Sequence, residues 1–492
     1  MKQRVRLDYL ILFLIFIFVL AFRLYFAFQT EHFNTDSAYF HYRHIQSIVE
    51  DKQPLSYDQL SYGGRYVLYP PLFHIIMALL SWGSVFLLKL LPEIIISMTV
   101  FVVYIIARDI SGNSYAAVFS SLLSAFFPIL FSETLNNISV YTFVIPLLLI
   151  MLYGLVRLDE KKYLWMFVIS SFLLPLVHPS ALLYVVTVFL YFILLAGGAL
   201  NPTKLKKEAV VFSTLLIVLF QFIIYKKAFL EYGTSVLWQN VPSNILSDSF
   251  RQLSFLGLVV GVGLLPLILG SIGIYICIIK QKKKPAYMFG AFALAILLLI
   301  VLRFLTLSVG LMYLGIVLSI FAASSIDLIY NYLKNFKFIY LSKLFVFLLI
   351  ILFVVSSLYP SFSAADESNE IAKSKIKEVR WFSFNTAPNA VVLGNVDEGN
   401  LIAVASNRTT VVDNNFLLAK DPIGRSSDVD IIYSTVSEAV ATNLIKKYNI
   451  SVVYISDETK DKYKIDRLNY AETSTCFDSV REGRYYVFKC QE

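Results

Sequence analysis

The sequence predicts an α-helical polytopic membrane protein with a water-soluble α/β domain at its C-terminal end, and three observations carry that prediction. Of 492 residues, 58% are hydrophobic and only 15% charged, whereas a soluble globular chain has nearer a quarter charged. The low charge is not uniform: long apolar runs fill 1–360, and 361–492 alternate apolar and polar side chains as an ordinary domain does. The basic residues of the first part sit in short clusters between apolar runs, the pattern that sets membrane orientation. The net charge of +8 therefore does not indicate a nucleic-acid partner.

A span needs about 20 apolar residues. Eleven runs qualify, near 9–28, 86–107, 114–131, 141–157, 163–177, 179–198, 209–225, 254–279, 286–304, 306–330 and 339–359. The first follows Lys2, Arg4 and Arg6, and no small-residue cleavage site comes after it, so it reads as a span rather than a signal peptide. With the N-terminus cytoplasmic, the linkers 108–113, 157–162, 198–208, 280–285 and 331–338 are cytoplasmic too, and each carries Lys or Arg. An odd number of spans then places the C-terminal domain outside.

The first external loop, 29–85, should hold two surface helices. Ala38, Tyr42, Ile45 and Val49 recur at helical spacing in 37–50, and Pro70-Pro71 opens a short apolar helix at 72–80. The segment 226–253 is mostly polar and reads as a mobile loop. In the C-terminal domain, strands are expected at 390–394, 409–413, 429–433, 450–456 and 485–489. A helix is expected at 436–448, with Val440, Leu444 and Ile445 inward. Cys476 and Cys490 would lie outside the reducing cytoplasm and are expected to form a disulfide. Cys277 lies in an apolar run, and no Cys/His spacing suggests zinc.

Polar residues suited to catalysis collect on the external side: all five histidines (His32, His41, His44, His74 and His178) with Asp36, Glu133, Glu231 and Asp248. Asp36 should cap the helix that follows it, and it offers a carboxylate at the membrane surface as base or metal ligand. Glu133 is a lone carboxylate at the outer end of the third span, where a solvated loop acid is the plainer reading. Arg23 and Arg303 lie near the outer ends of spans one and nine, either snorkelling or pairing with an anionic headgroup. Arg303 is expected to face the bundle. Glu93 follows Lys89 by four residues, the spacing of a helical ion pair.

Several motifs occur in a familiar order. Asp36-Ser37-Ala38-Tyr39-Phe40 follows the first span. Gly63-Gly64-Arg65-Tyr66 and Tyr69-Pro70-Pro71-Leu72-Phe73-His74 precede the short apolar helix. A span then ends in Tyr104 to Arg108, and Ser132-Glu133-Thr134 follows Phe127-Pro128. This set resembles the GT-C superfamily of polyprenyl-phosphate-dependent glycosyltransferases, and the tail segments Asn407 to Asp413 and Lys447 to Tyr454 look like those of its archaeal members. The resemblance implies a polyprenyl-phosphate-linked sugar as donor, a protein or glycan acceptor, and chemistry at the extracytoplasmic face of the bilayer. Asp36 matches the first-loop aspartate, base or metal ligand according to branch. Glu133 stands where a second acidic motif is kept, usually with more than one carboxylate. Together they are the candidate ligands of a divalent cation, Mg or Mn. Arg303, Arg65 and Arg23 are the candidates for the donor phosphate, with His74, His178 and Tyr69 as further polar candidates. The Trp-Trp-Asp acceptor motif of oligosaccharyltransferases is absent, the four tryptophans being scattered singly. A divergent oligosaccharyltransferase, a transporter or flippase, and a non-catalytic scaffold are the alternative readings. A transporter should show broken, polar helices near the midplane.

Overall fold

The computed structural model describes residues 2–233, 255–335, 340–472 and 474–490. Every apolar run is helical where described. Among the described residues, six helices are long and apolar enough to cross a membrane: Leu7–Ala27, Val85–Ser111, Lys204–Tyr232, Lys284–Val301, Leu307–Lys334 and Tyr340–Asn385. The pair Ser114–Leu123 and Pro128–Thr134, bent by 56°, makes a seventh candidate. Its break falls where Pro128 cannot donate the hydrogen bond that would continue the first helix. The remaining runs form the shorter helices Tyr141–Val156, Lys161–Val177, Ala181–Gly197 and Leu264–Lys280. The expected loop 226–253 is helical as far as Tyr232, and 234–253 lies outside the described residues.

Leu307–Lys334 runs through the middle of the bundle and is buried along most of its length. Gly270 and Gly273 let their helix lie directly on it, because a Cβ at either position would run into the backbone of Leu318 or Phe321. Small residues at such a crossing allow the backbone approach that drives helix association in lipid. The first three spans are locked at one end by a buried ion pair. Arg23 Nε donates to Glu93 at 2.5 Å and Arg23 Nη2 to Thr134 Oγ1 at 2.9 Å, while Asn136 N–H donates to Glu93 at 2.7 Å. Lys89 does not partner Glu93, contrary to the helical spacing. Its ammonium donates to the carbonyls of Ala27, Thr30 and His32 instead, at 3.0, 2.7 and 2.9 Å. Ala27 is the last residue of the first helix, where carbonyls lack intrahelical partners, so this cation ties the helix end to the turn that follows it.

The first loop holds helices Asp36–Asp51 and Leu72–Ser81, joined through a two-stranded ribbon, β1 (Tyr57–Asp58) and β2 (Arg65–Tyr66). The chain leaves the membrane on the continuous helix that ends at Asn385. Beyond it lies a mixed sheet of β3 (Val391–Leu393), β4 (Thr409–Thr410), β5 (Ile450–Tyr454), β6 (Phe477–Val480) and β7 (Tyr485–Phe488), in spatial order β4-β3-β5-β7-β6. The first three strands are parallel and β7 pairs antiparallel with β5 and β6. The strands alternate in burial direction, as a pleat requires. Val392, Val452, Tyr454 and Tyr485 join the core shared with the exit helix, where Trp381 stacks on Tyr485 at 4.2 Å. Leu393, Val453 and Tyr486 face the opposite core, with Val429, Ile432, Ala441 and Ile445. The expected strand at 429–433 is part of helix Pro422–Ser434, opened by Asp421 as cap and Pro422 in its first turn. The expected helix at 436–448 is Glu438–Lys447, buried through Ala441 and Ile445, with Val440 exposed. Cys476 and Cys490 form a disulfide that closes the β6–β7 hairpin.

Candidate active site

The first loop builds one wall. Thr35, not Asp36, caps the helix Asp36–Asp51: its backbone is extended and its hydroxyl accepts from Ala38 N–H. The next helix starts after Pro70-Pro71 and faces it. Four rings mesh between them. His41 Nδ1 and His74 Nε2 share a hydrogen bond of 2.8 Å, and Tyr69 lies edge-on to His44 and His74 at 4.2 and 4.5 Å. Burial pushes the His41 imidazole down to about 3 and those of His44 and His74 well below their usual range. The cluster is therefore neutral at physiological pH, able to donate and accept hydrogen bonds without carrying charge.

His41, His74 and Tyr69 line a cavity of ≈ 290 Å³, completed by Glu133, Asn137, Tyr141, His178 and Tyr225 from the bundle and Asn415 from the C-terminal domain. Glu133 reaches it because the 56° bend turns the short helix Pro128–Thr134. His178 ends the helix Lys161–Val177 in an extended conformation. Its Nδ1 accepts from Ser180 N–H at 3.1 Å, which leaves the proton on Nε2. A second, apolar groove of ≈ 380 Å³ adjoins the cavity, sharing Phe40, Leu68, Pro179, Tyr225 and Asn415 and continuing along Leu182, Phe229, Phe416 and Leu417. A polar chamber thus opens onto an apolar channel, with the C-terminal domain as part of the wall of both.

Of the residues singled out in the sequence, Glu133, His74, His178 and Tyr69 meet in this cavity. Asp36 lies behind it, next to the lining residue Ser37. Its two oxygens accept from Asn400 Nδ2 and from the Leu401 N–H in the first turn of helix Gly399–Ser406, both at 2.7 Å. Burial pushes its carboxyl up to about 8 against those hydrogen bonds. Arg65 lines the apolar groove. Its Nη atoms reach Asp413 and the Asn415 carbonyl, while its buried Nε has no partner among the described residues. Ser61 also donates to Asp413, and Tyr62 to the Asp413 carbonyl at 2.8 Å.

Two expectations need correction. Arg23 is sealed in the bundle by Glu93 and has no exposed face for a donor phosphate. Arg303 does not face the bundle: it is exposed, in a left-handed turn (φ 61°) just beyond helix Lys284–Val301. The residues present also do not fit a cation. Both Asp36 oxygens are taken by the C-terminal domain, and among the described residues no three His, Cys, Asp or Glu side chains are placed to hold one. Sequence reasoning missed Asn137, Tyr141, Tyr225 and Asn415. Only Asn137 carried a local signal, in the polar stretch after Glu133.

This architecture, a helical membrane body with a C-terminal domain built around a sheet, is similar in fold to solved structures of an archaeal oligosaccharyltransferase and of ArnT. The archaeal oligosaccharyltransferase AglB from Archaeoglobus fulgidus, in complex with an inhibitory peptide and a dolichol-phosphate, superposes with a TM-score of 0.62 at 13% identity, over 89% of this chain and 69% of that one. The Archaeoglobus fulgidus oligosaccharyltransferase in complex with Zn and sulfate gives 0.62 at 14% identity, over 96% and 73%. ArnT from Cupriavidus metallidurans, bound to undecaprenyl phosphate, gives 0.55 at 12% identity, over 96% and 97%. No family model matches the sequence, and no curated protein does. At these identities the likeness is one of fold.

Proposed function

We propose that the protein transfers a sugar from a polyprenyl-phosphate carrier to an extracytoplasmic acceptor, with the N-terminus cytoplasmic and the C-terminal domain outside. The observation that carries this reading is the junction of a polar cavity holding one carboxylate with an apolar groove. A lipid-phosphate sugar has the same two-part chemistry. The dolichol-phosphate and undecaprenyl phosphate bound by the two neighbours support the donor class, and the basic linkers support the orientation.

In this reading the isoprenoid lies along Leu182, Phe229 and Phe416, and its phosphate sits at the junction. Arg65, whose guanidinium is paired with Asp413 in the wall of the groove, is the cation bordering that junction, and the neutral imidazoles add N–H donors. Such donors stabilise the departing phosphate most when they are fixed in a dry site. Glu133 takes the proton from the acceptor hydroxyl. The acceptor oxygen bonds to the anomeric carbon as the carbon–oxygen bond to phosphate breaks, releasing polyprenyl phosphate. Asp36 acts as a positioning residue, holding the C-terminal domain over the cavity. No step here requires a metal.

The test is transfer from a radiolabelled polyprenyl-phosphate hexose by the purified protein. Glu133→Gln should lower the rate by 10²-fold or more, on the order of a lost general base, with donor binding kept. Wild-type protein that binds the lipid but never consumes it, across a panel of hexoses and membrane-extract acceptors, would favour the non-catalytic reading.

A further inference from the structure

On another face of the outer surface, a wide cleft of ≈ 550 Å³ separates the end of the first helix, Gln29 to His32, from the exit helix. The exit helix presents Lys373, Lys377 and Arg380 at successive turns, and Arg481 of the β6–β7 turn closes the cleft from above. Lys373, Lys377 and Arg380 are exposed, and none makes an ion pair among the described residues. Neighbouring Lys375 and Arg484, by contrast, are paired with Glu458 and with Glu378 and Asp457. Glu31 is the one carboxylate in the lining. Phe384 projects from the rim with 86% of its surface exposed.

We infer that this cleft binds an acidic saccharide, a glycan bearing carboxylate, sulfate or phosphate groups. Four cations against one carboxylate select negative charge. The spacing of Lys373, Lys377 and Arg380, three to four residues apart, sets them about 5–6 Å from one another along one helix face, a ladder suited to an extended chain and not to a single ion. The aromatic rim offers an apolar face for a sugar ring. A lipid headgroup is a poorer fit. The exit helix packs on the first span through Phe362 against Phe26, at 5.1 Å between ring centroids. Asn369 donates to the Phe26 carbonyl at the end of the first helix at 2.9 Å, and from there the exit helix rises about 1.5 Å per residue, which carries Lys377 and Arg380 about 12 and 16 Å farther out. If the transferase reading above holds, the cleft is where an acidic acceptor glycan is gathered, but the binding itself does not depend on that reading.

The test uses the full chain in detergent, titrated with an oligogalacturonate and with a neutral malto-oligosaccharide of equal length. Binding of the acidic chain, falling at least tenfold in the Lys377→Gln/Arg380→Gln double variant and threefold or more in Phe384→Ala, supports the inference. Detection of the intact Cys476–Cys490 disulfide and a monodisperse elution profile in each variant shows that folding is not the cause. Equal affinity for both oligosaccharides overturns it, as does equal affinity in the double variant. Poly-aspartate binding as tightly as the oligogalacturonate would also overturn it, because the cleft would then read charge without sugar. So would phosphatidylglycerol vesicles that abolish oligogalacturonate binding. Transfer activity is scored separately, so acidic-glycan binding without transfer would sink the enzyme reading alone.

Discussion

Two buried polar contacts, one inside the bundle and one between the first loop and the C-terminal domain, differ in what surrounds them. Arg23 and Glu93 lie inside the bundle with 1% and 0% of their side chains exposed, and nearly every remaining valence is taken by Thr134 and Asn136. The seam between first loop and C-terminal domain uses the same chemistry, Asp36 on Leu401 and Arg65 on Asp413, but leaves groups unspent: Arg65 Nε and the Asn400 side-chain oxygen have no partners among the described residues. The sealed pair lies apart from the large cavities, whereas the seam borders the polar chamber and the apolar groove. A closed contact specifies the fold. An incompletely satisfied one beside a cavity is where a ligand completes the set.

The largest effect should come from breaking the sealed pair. Arg23→Leu leaves a carboxylate in the bundle with no cation, and a loss of about 3–5 kcal/mol is expected, read as a fall in unfolding temperature in detergent. The double variant Arg23→Leu/Glu93→Leu should recover most of it. If the single variant is as stable as wild type, the contact is not the lock described here.

Next comes the disulfide. Cys476 and Cys490 are 14 residues apart, and a loop of that length is worth roughly 3 kcal/mol on the chain-entropy account. Serine at both positions should loosen the β6–β7 hairpin, and with it the closing turn of the basic cleft, while leaving the bundle unchanged. Hydrogen exchange that rises in 477–488 and nowhere in the spans would agree. Unchanged exchange there would contradict it.

The smallest effect concerns the seam and pH. The folded Asp36 carboxyl is raised to about 8 from 3.8. Its contribution to docking is full below the unfolded value and is lost as pH rises through about 8. Burial shifts the Asp413 carboxyl in the same direction, against its pairing with Arg65. Between pH 6 and 9 the C-terminal domain should therefore become more protease-sensitive, and Asp36→Asn should flatten that slope while keeping the domain docked. An Asn side chain still accepts from Leu401, and the free oxygen of Asn400 can turn to receive its amide. A slope identical in wild type and variant would remove Asp36 from the seam.

What the sequence disclosed follows the reach of each signal. Apolar runs and their basic flanks are local, so the helices were legible, as were the loop helices at 37–50 and 72–80 and the hairpin disulfide. The strand expected at 429–433 failed for a physical reason. Val429, Ile431 and Ile432 are β-branched and look like a strand, but Val429, Ile432 and Tyr433 are buried while Ile431 is exposed. That is the i, i+3, i+4 period of a helix, and Pro422 with its Asp421 cap had already started one. The site was half legible. Glu133 and the histidines were visible as outer polar residues. That Asp36 would turn toward Leu401, 365 residues away, and that Arg23 would reach Glu93 before any lipid did, depended on tertiary packing that no local pattern encodes.

The account rests on a lipid phosphate lying across the seam, its chain in the apolar groove and its head in the polar cavity. The direct measurement is photo-crosslinking of a diazirine-tagged polyprenyl phosphate to the purified protein, with the labelled peptides mapped by mass spectrometry. Labels at Leu182, Phe229 and Phe416, competed by untagged polyprenyl phosphate and reduced by Arg65→Ala, are the predicted result. Labels confined to the lipid-facing surface of the spans, uncompeted and indifferent to Arg65→Ala, would contradict it.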